Sequence, residues 1–145
     1  MKKIWFDMDG TIADLYGVEN WLPMLRNSNP TPYAAAAPLL RLTTLARVLH
    51  KVQQAGYEIG VISWLSKNST PEYDEKVTAA KMWWLEKHLK SVRWDHIHIV
   101  PYGTSKINIC GGGILFDDEE PNRNEWGEGA YKPSEIFNIL KGLAT

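Results

Sequence analysis

The chain has 145 residues, enough for one domain with a real core. Hydrophobic residues make up 44% and charged residues 23%, which excludes a disordered chain. A formal net charge of -1 gives no overall field for nucleic acid or an anionic membrane, and the lone Cys110 excludes an intrachain disulfide, which fits a reducing compartment. No apolar run approaches the roughly 20 residues of a membrane helix. The first strand is expected to begin at residue 2, with no signal peptide or targeting arm before it. The expected location is the cytoplasm.

Lys2–Phe6 reads as a buried strand that runs directly into Asp7-Met8-Asp9-Gly10-Thr11. Tyr16–Pro38 is irregular: four prolines and an Asn-Ser-Asn turn predict short helical pieces and loops. A helix capped by Thr43 or Thr44 runs through Gln54, with Leu45, Val48, Leu49 and Val52 on one face and Gly56 ending it. Tyr57–Trp64 is a second strand, Ser66–Pro71 a polar loop, and Glu72–Lys90 a long helix with Val77, Ala80, Trp84 and Leu85 toward the core. His96–Val100 and Ile114–Phe116 are further strands. Ser134–Leu143 is a closing helix with Ser134 as its cap. Strands alternating with helices predict a parallel α/β sheet, whose ligands bind beyond the carboxyl ends of the strands.

Four polar signals fall at or just past strand ends: Asp7 and Asp9, then Ser63, then Lys106, then Asp117 with Asp118. They would converge on one rim. Two carboxylates one residue apart repel unless a cation or a proton sits between them. Hard oxygen ligands of this kind suit Mg²⁺.

The set resembles the haloacid dehalogenase-like superfamily of phosphohydrolases. Asp7-Met8-Asp9-Gly10-Thr11 is similar to its first motif, Ser63 to the second, Lys106 to the third and Asp117-Asp118 to the fourth, in the right order over nearly the whole chain. The Gly103-Thr104-Ser105-Lys106 stretch and the Trp84-Leu85-Glu86-Lys87-His88-Leu89 helix resemble small phage and bacterial members of unassigned substrate. The first motif also resembles that of cytosolic deoxynucleotidases.

The resemblance implies a Rossmannoid three-layer sandwich of at most about five parallel strands in a single domain, 1–145, with a small lid at Tyr16–Arg41. It implies a Mg²⁺-dependent phosphomonoester hydrolase working through an aspartyl-phosphate, with nucleotides as the first substrate class. Asp7 would be the nucleophile and Asp9 the general acid and base. Asp7, the Asp9 carbonyl and Asp117 would hold Mg²⁺. Ser63 would bind the phosphoryl group together with the amides after Asp7, where Gly10 lets the backbone approach closely, and Lys106 would balance its charge. Thr11 and Asp118 would support these groups. Asp9 also argues against dehalogenation, because in that branch the position two after the nucleophile is not an acid–base Asp.

Blander readings stand beside these. Lys106 could be a solvated surface lysine, with Lys67 or Lys132 in its place. Glu119 and Glu120 read as a solvated turn, and Asn122 and Arg123, which follow the acidic motif, as loop residues in preference to substrate contacts. Gly111-Gly112-Gly113 precedes a strand and lacks a following Lys-Ser/Thr, so it reads as a turn and not a phosphate loop. His50, His88, His96 and His98 show no metal spacing. Trp64 follows Ser63 and is a candidate for stacking on substrate; Trp21 and Tyr16 share that role. Two further functions remain open. A nucleic-acid-end phosphatase would need a basic groove, for which Arg41, Lys67 and Arg123 are candidates, although the net charge gives it no support. A non-catalytic module would bind a phosphorylated ligand or a partner protein.

Overall fold

The structure, a computed structural model, describes residues 2–145. Five strands form a parallel sheet: β1 (Lys3–Phe6), β4 (Glu58–Trp64), β5 (His96–Val100), β6 (Ile114–Phe116) and β7 (Ala130–Tyr131). Their spatial order is β5-β4-β1-β6-β7. A separate antiparallel pair joins β2 (Ala13–Asp14) to β3 (Ala37–Pro38). β1 lies at the centre, pairing Phe6 with Val61 on one side and with Phe116 on the other. The chain visits β4 and β5 on one flank and then β6 and β7 on the other. Such a reversal opens a crevice at the carboxyl ends of the central strands.

Alternation of side chains along the strands feeds two cores. Ile4, Phe6, Ile59, Val61 and Phe116 face a large core with Leu45, Leu49 and Val52 of α3 (Leu42–Gln54), Trp84 and Leu85 of α4 (Pro71–His88), and Ile136 and Leu140 of α7 (Ile136–Leu143). Trp5, Ile62 and Leu115 face the other side, where Cys110 of α5 (Lys106–Cys110) and Trp126 of α6 (Glu120–Trp126) close over them. The result is a three-layer α/β/α sandwich. No helix among the described residues is long and apolar enough to cross a membrane.

Several boundaries differ from expectation. α3 starts at Leu42 behind Arg41, with no side-chain cap, so neither Thr43 nor Thr44 caps it. α4 starts at Pro71, where proline's fixed φ suits a first helical position, and the Thr70 hydroxyl accepts from the Tyr73 amide. It ends at His88 rather than Lys90. Ser134 lies inside a short 3₁₀ turn, Pro133–Glu135, and does not cap α7. Two short helices, α5 and α6, add to the expected elements: α6 holds Asn122 and Arg123, which read as loop residues, and Glu120 opens it instead of lying in a free turn. Each is too short to show an amphipathic period in sequence.

The segment after the first motif holds α1 (Trp21–Arg26) and α2 (Thr31–Ala35). It is tied to α4 at two points. Trp84 Nε1 donates to the Ala36 carbonyl at 2.8 Å, and the Tyr73 hydroxyl donates to the Asn29 carbonyl at 3.0 Å.

Candidate active site

The parallel ladder runs one residue past β1: the Asp7 amide donates to the Phe116 carbonyl at 3.0 Å. Asp7 is thereby set beside Asp117, the residue that follows β6. Both are buried. Lys106 opens α5 from the far side of the sheet and reaches both, donating to Asp7 Oδ1 at 3.0 Å and to Asp117 Oδ2 at 2.7 Å. Burial opposes the Lys106 charge, but Asp7 and Asp117 outweigh it and hold the ammonium above its ordinary pKa. Lys106 is therefore a buried member of the site, and the solvated reading is excluded for it.

Asp117 is held from every side. Its Oδ1 accepts from the Glu119 amide at 2.9 Å, its Oδ2 also accepts from Asn122 Nδ2 at 3.2 Å, and its carbonyl accepts from Arg123 Nη1 at 3.0 Å. Asn122 and Arg123 thus brace Asp117 from α6, which corrects their reading as loop residues.

Thr11 places its hydroxyl between Asp7 Oδ2 at 3.0 Å and Asp118 Oδ1 at 3.3 Å, and its one proton serves one of them at a time. Carboxylate oxygens of Asp7, Asp117 and Asp118 lie within 4.8 Å of one another. Burial, reinforced by the Asp7 carboxylate, pushes Asp118 up to about 8 and Asp117 up to about 6. A compact all-oxygen donor set that resists full ionisation by itself is the chemistry a hard divalent cation relieves. Asp118, expected to be only a support, belongs to this cluster as fully as Asp117. The Asp9 side chain stands apart from it.

Gly10 has φ +83°, and a Cβ there would collide with the Asp118 carboxylate. The Gly10 amide donates to the Ala13 carbonyl at 2.8 Å and the Thr11 amide to the Met8 carbonyl at 3.0 Å, so these two amides hold the turn.

Asp9 and Ser63 meet at a residue that sequence reasoning missed. Lys81 of α4 is fully buried and donates to Asp9 Oδ2 at 2.9 Å, Ser63 Oγ at 2.6 Å and the Trp64 carbonyl at 2.7 Å. Its Nζ also lies 5.0 Å from the Tyr33 ring centroid. All three ammonium protons are used. Because Ser63 Oγ accepts from Lys81, its own proton is left to point elsewhere. Burial pushes Asp9 above the usual carboxylate range, Lys81 opposing and Asp7 adding to the rise. A signal was present: Lys81 is four residues from both Val77 and Leu85, inside the buried stripe of α4.

A cavity of about 620 Å³ opens over Asp7, Asp9 and Lys106. Trp64 lines it beside Lys106, whose Nζ lies 5.3 Å from the indole centroid, and its Nε1 donates to the Thr104 carbonyl at 2.8 Å. Tyr16 and Trp21 line the same cavity. Of the basic-groove candidates, Lys67 lines it. Arg123 is engaged by Asp117, and Arg41 stands at the start of α3, outside the lining. Comparison with known protein families and with curated proteins finds no match to this chain.

Proposed function

We propose that this chain is a Mg²⁺-dependent phosphomonoester hydrolase of the haloacid dehalogenase-like kind, with nucleotides as substrates. The observation that carries the reading is the Asp7 carboxylate, buried and held by Lys106, lining a cavity of about 620 Å³ that Asp9 also lines. In the proposed sequence an Asp7 oxygen attacks phosphorus and the bond to the leaving oxygen breaks. Asp9 hands that oxygen a proton. It then takes a proton from the water that attacks the aspartyl-phosphate, which frees Asp7 and inorganic phosphate. The burial that raises Asp9 favours its protonated, donating form. Lys106 offsets negative charge on Asp7 and on the transferring group, and the Ser63 proton not engaged by Lys81 is available to a phosphoryl oxygen. Asp7, Asp117 and Asp118, with the Asp9 carbonyl, would hold Mg²⁺, which supplies positive charge that lets an anionic nucleophile approach an anionic phosphate. The single buried Cys110 fits a reducing, cytoplasmic setting.

The test is phosphate release, with and without Mg²⁺, from p-nitrophenyl phosphate, nucleoside monophosphates and end-phosphorylated oligonucleotides. Mg²⁺-dependent release that disappears in Asp7→Asn supports the reading. Folded protein that binds these ligands and releases no phosphate favours the non-catalytic module.

A further inference from the structure

The cavity over Asp7 is far larger than one phosphate needs; volumes of this order, about 300–1,000 Å³, hold drug-sized ligands. Its walls carry two aromatic pairs from unrelated parts of the chain. Tyr16 and Trp21 meet edge to face at 5.0 Å, and Trp64 and Tyr102 lie 4.9 Å apart. Tyr16 is 46% exposed and Tyr102 51%, so large ring surfaces are turned to the opening rather than to a core. Both pairs line the cavity that Asp7 and Asp9 also line. Exposed π faces beside an anion-handling site suit a planar base attached to a phosphate.

The charge on the cavity wall adds a second requirement. Lys81 and Lys106 are matched to the carboxylates they touch. Arg26 and Lys67 line the same cavity and enter no ion pair among the described residues. An arginine fork and a lysine with no carboxylate partner suit a phosphate other than the one that reacts.

We propose that the preferred substrate is a nucleotide carrying a second phosphate. Its base stacks against the two aromatic pairs, and the second phosphate sits against Arg26 and Lys67. This deepens the hydrolase reading and rests on it for the turnover step. A nucleoside 3′,5′-bisphosphate and a phosphorylated oligonucleotide end share this chemistry.

The experiment compares ribose 5-phosphate, a nucleoside 5′-monophosphate, the 3′,5′-bisphosphate and a 5′-phosphorylated dinucleotide. For each, kcat/KM is measured on the intact Mg²⁺-loaded protein and affinity on Asp7→Asn, by quenching of tryptophan fluorescence or by dialysis. The base should add about tenfold or more over ribose 5-phosphate, as one stacking contact does. The second phosphate should add a similar step, which shrinks in high salt and in the double variant Arg26→Ala/Lys67→Ala. The bisphosphate against the dinucleotide tells a free nucleotide from a chain end. Equal values for ribose 5-phosphate and the monophosphate overturn the base contact; equal values for mono- and bisphosphate overturn the second-phosphate site. If nothing is hydrolysed but Asp7→Asn shows the same affinity ladder, the hydrolase reading fails and the ligand class stands. A flat ladder overturns the ligand class.

Discussion

Lys81 Nζ lies 2.9 Å from Asp9 Oδ2, and this fully buried ammonium shares its other protons between Ser63 Oγ and the Trp64 carbonyl. One helix side chain thus joins the two residues proposed to handle the leaving group and the phosphoryl oxygens. It also fixes where each points.

Lys81→Met should be costly for that reason. It leaves Asp9 and the Trp64 carbonyl without their donor, and removing one partner of a buried pair costs about 3–5 kcal/mol. Asp9 is partly exposed, so the lower end is expected, measured as a shift in the urea midpoint. Asp9→Asn on top of Lys81→Met should recover part of the loss, because the orphaned carboxylate is then gone. Equal stability of wild type and Lys81→Met would remove the pair from the folding balance.

Gly10→Ala and Gly103→Ala separate backbone strain from collision. Both glycines have positive φ, +83° and +86°, but a Cβ at Gly103 meets nothing within 4 Å while one at Gly10 meets Asp118. Gly103→Ala should cost only the strain, about 1 kcal/mol. Gly10→Ala should cost more and also weaken Mg²⁺ binding, because Asp118 must move. The pair is compared by urea unfolding and by Mg²⁺ titration.

The acidic cluster predicts how metal-free stability responds to pH. Asp118 at about 8 and Asp117 at about 6 lie above a free carboxyl at about 3.9. The folded state therefore binds more protons than the unfolded one between those values. Their contribution is complete below about pH 4 and is lost as pH rises through 6 and then 8. In a chelator the melting temperature should fall between pH 5 and 9, by about 4 °C for each kcal/mol lost. Mg²⁺ should raise it most at the alkaline end. Asp118→Asn should flatten the upper part of the slope. A chelated protein whose melting temperature is level across that range contradicts the crowding of these carboxylates.

Lys106→Met tests the other ammonium. It leaves Asp7 and Asp117 facing each other without their shared donor. Turnover should fall by about 10²-fold or more, the usual scale for a lost charge-stabilising group. Stability at pH 7 should drop more than at pH 5, where Asp117 is protonated and needs no cation. Melting curves at both pH values, beside initial rates, decide this.

The sequence by itself determined the α/β order, the strands that end in Asp7, Ser63 and Asp117, and the helical stripes of α3 and α4. These depend on short-range periodicity and on residues fixed at strand ends, so they need no knowledge of what lies across the sheet. The folded chain decided the rest. β7 has two residues and α5 and α6 five and seven, too short for a period to appear. Asn122 and Arg123 became braces for Asp117 because α6 folds back over β6. Lys81 drew no attention in the sequence, since a buried ammonium is stable only where carboxylate and oxygen partners converge. Those partners come from residues 9, 63 and 64, and only the packing of α4 against the ends of β1 and β4 brings them to it.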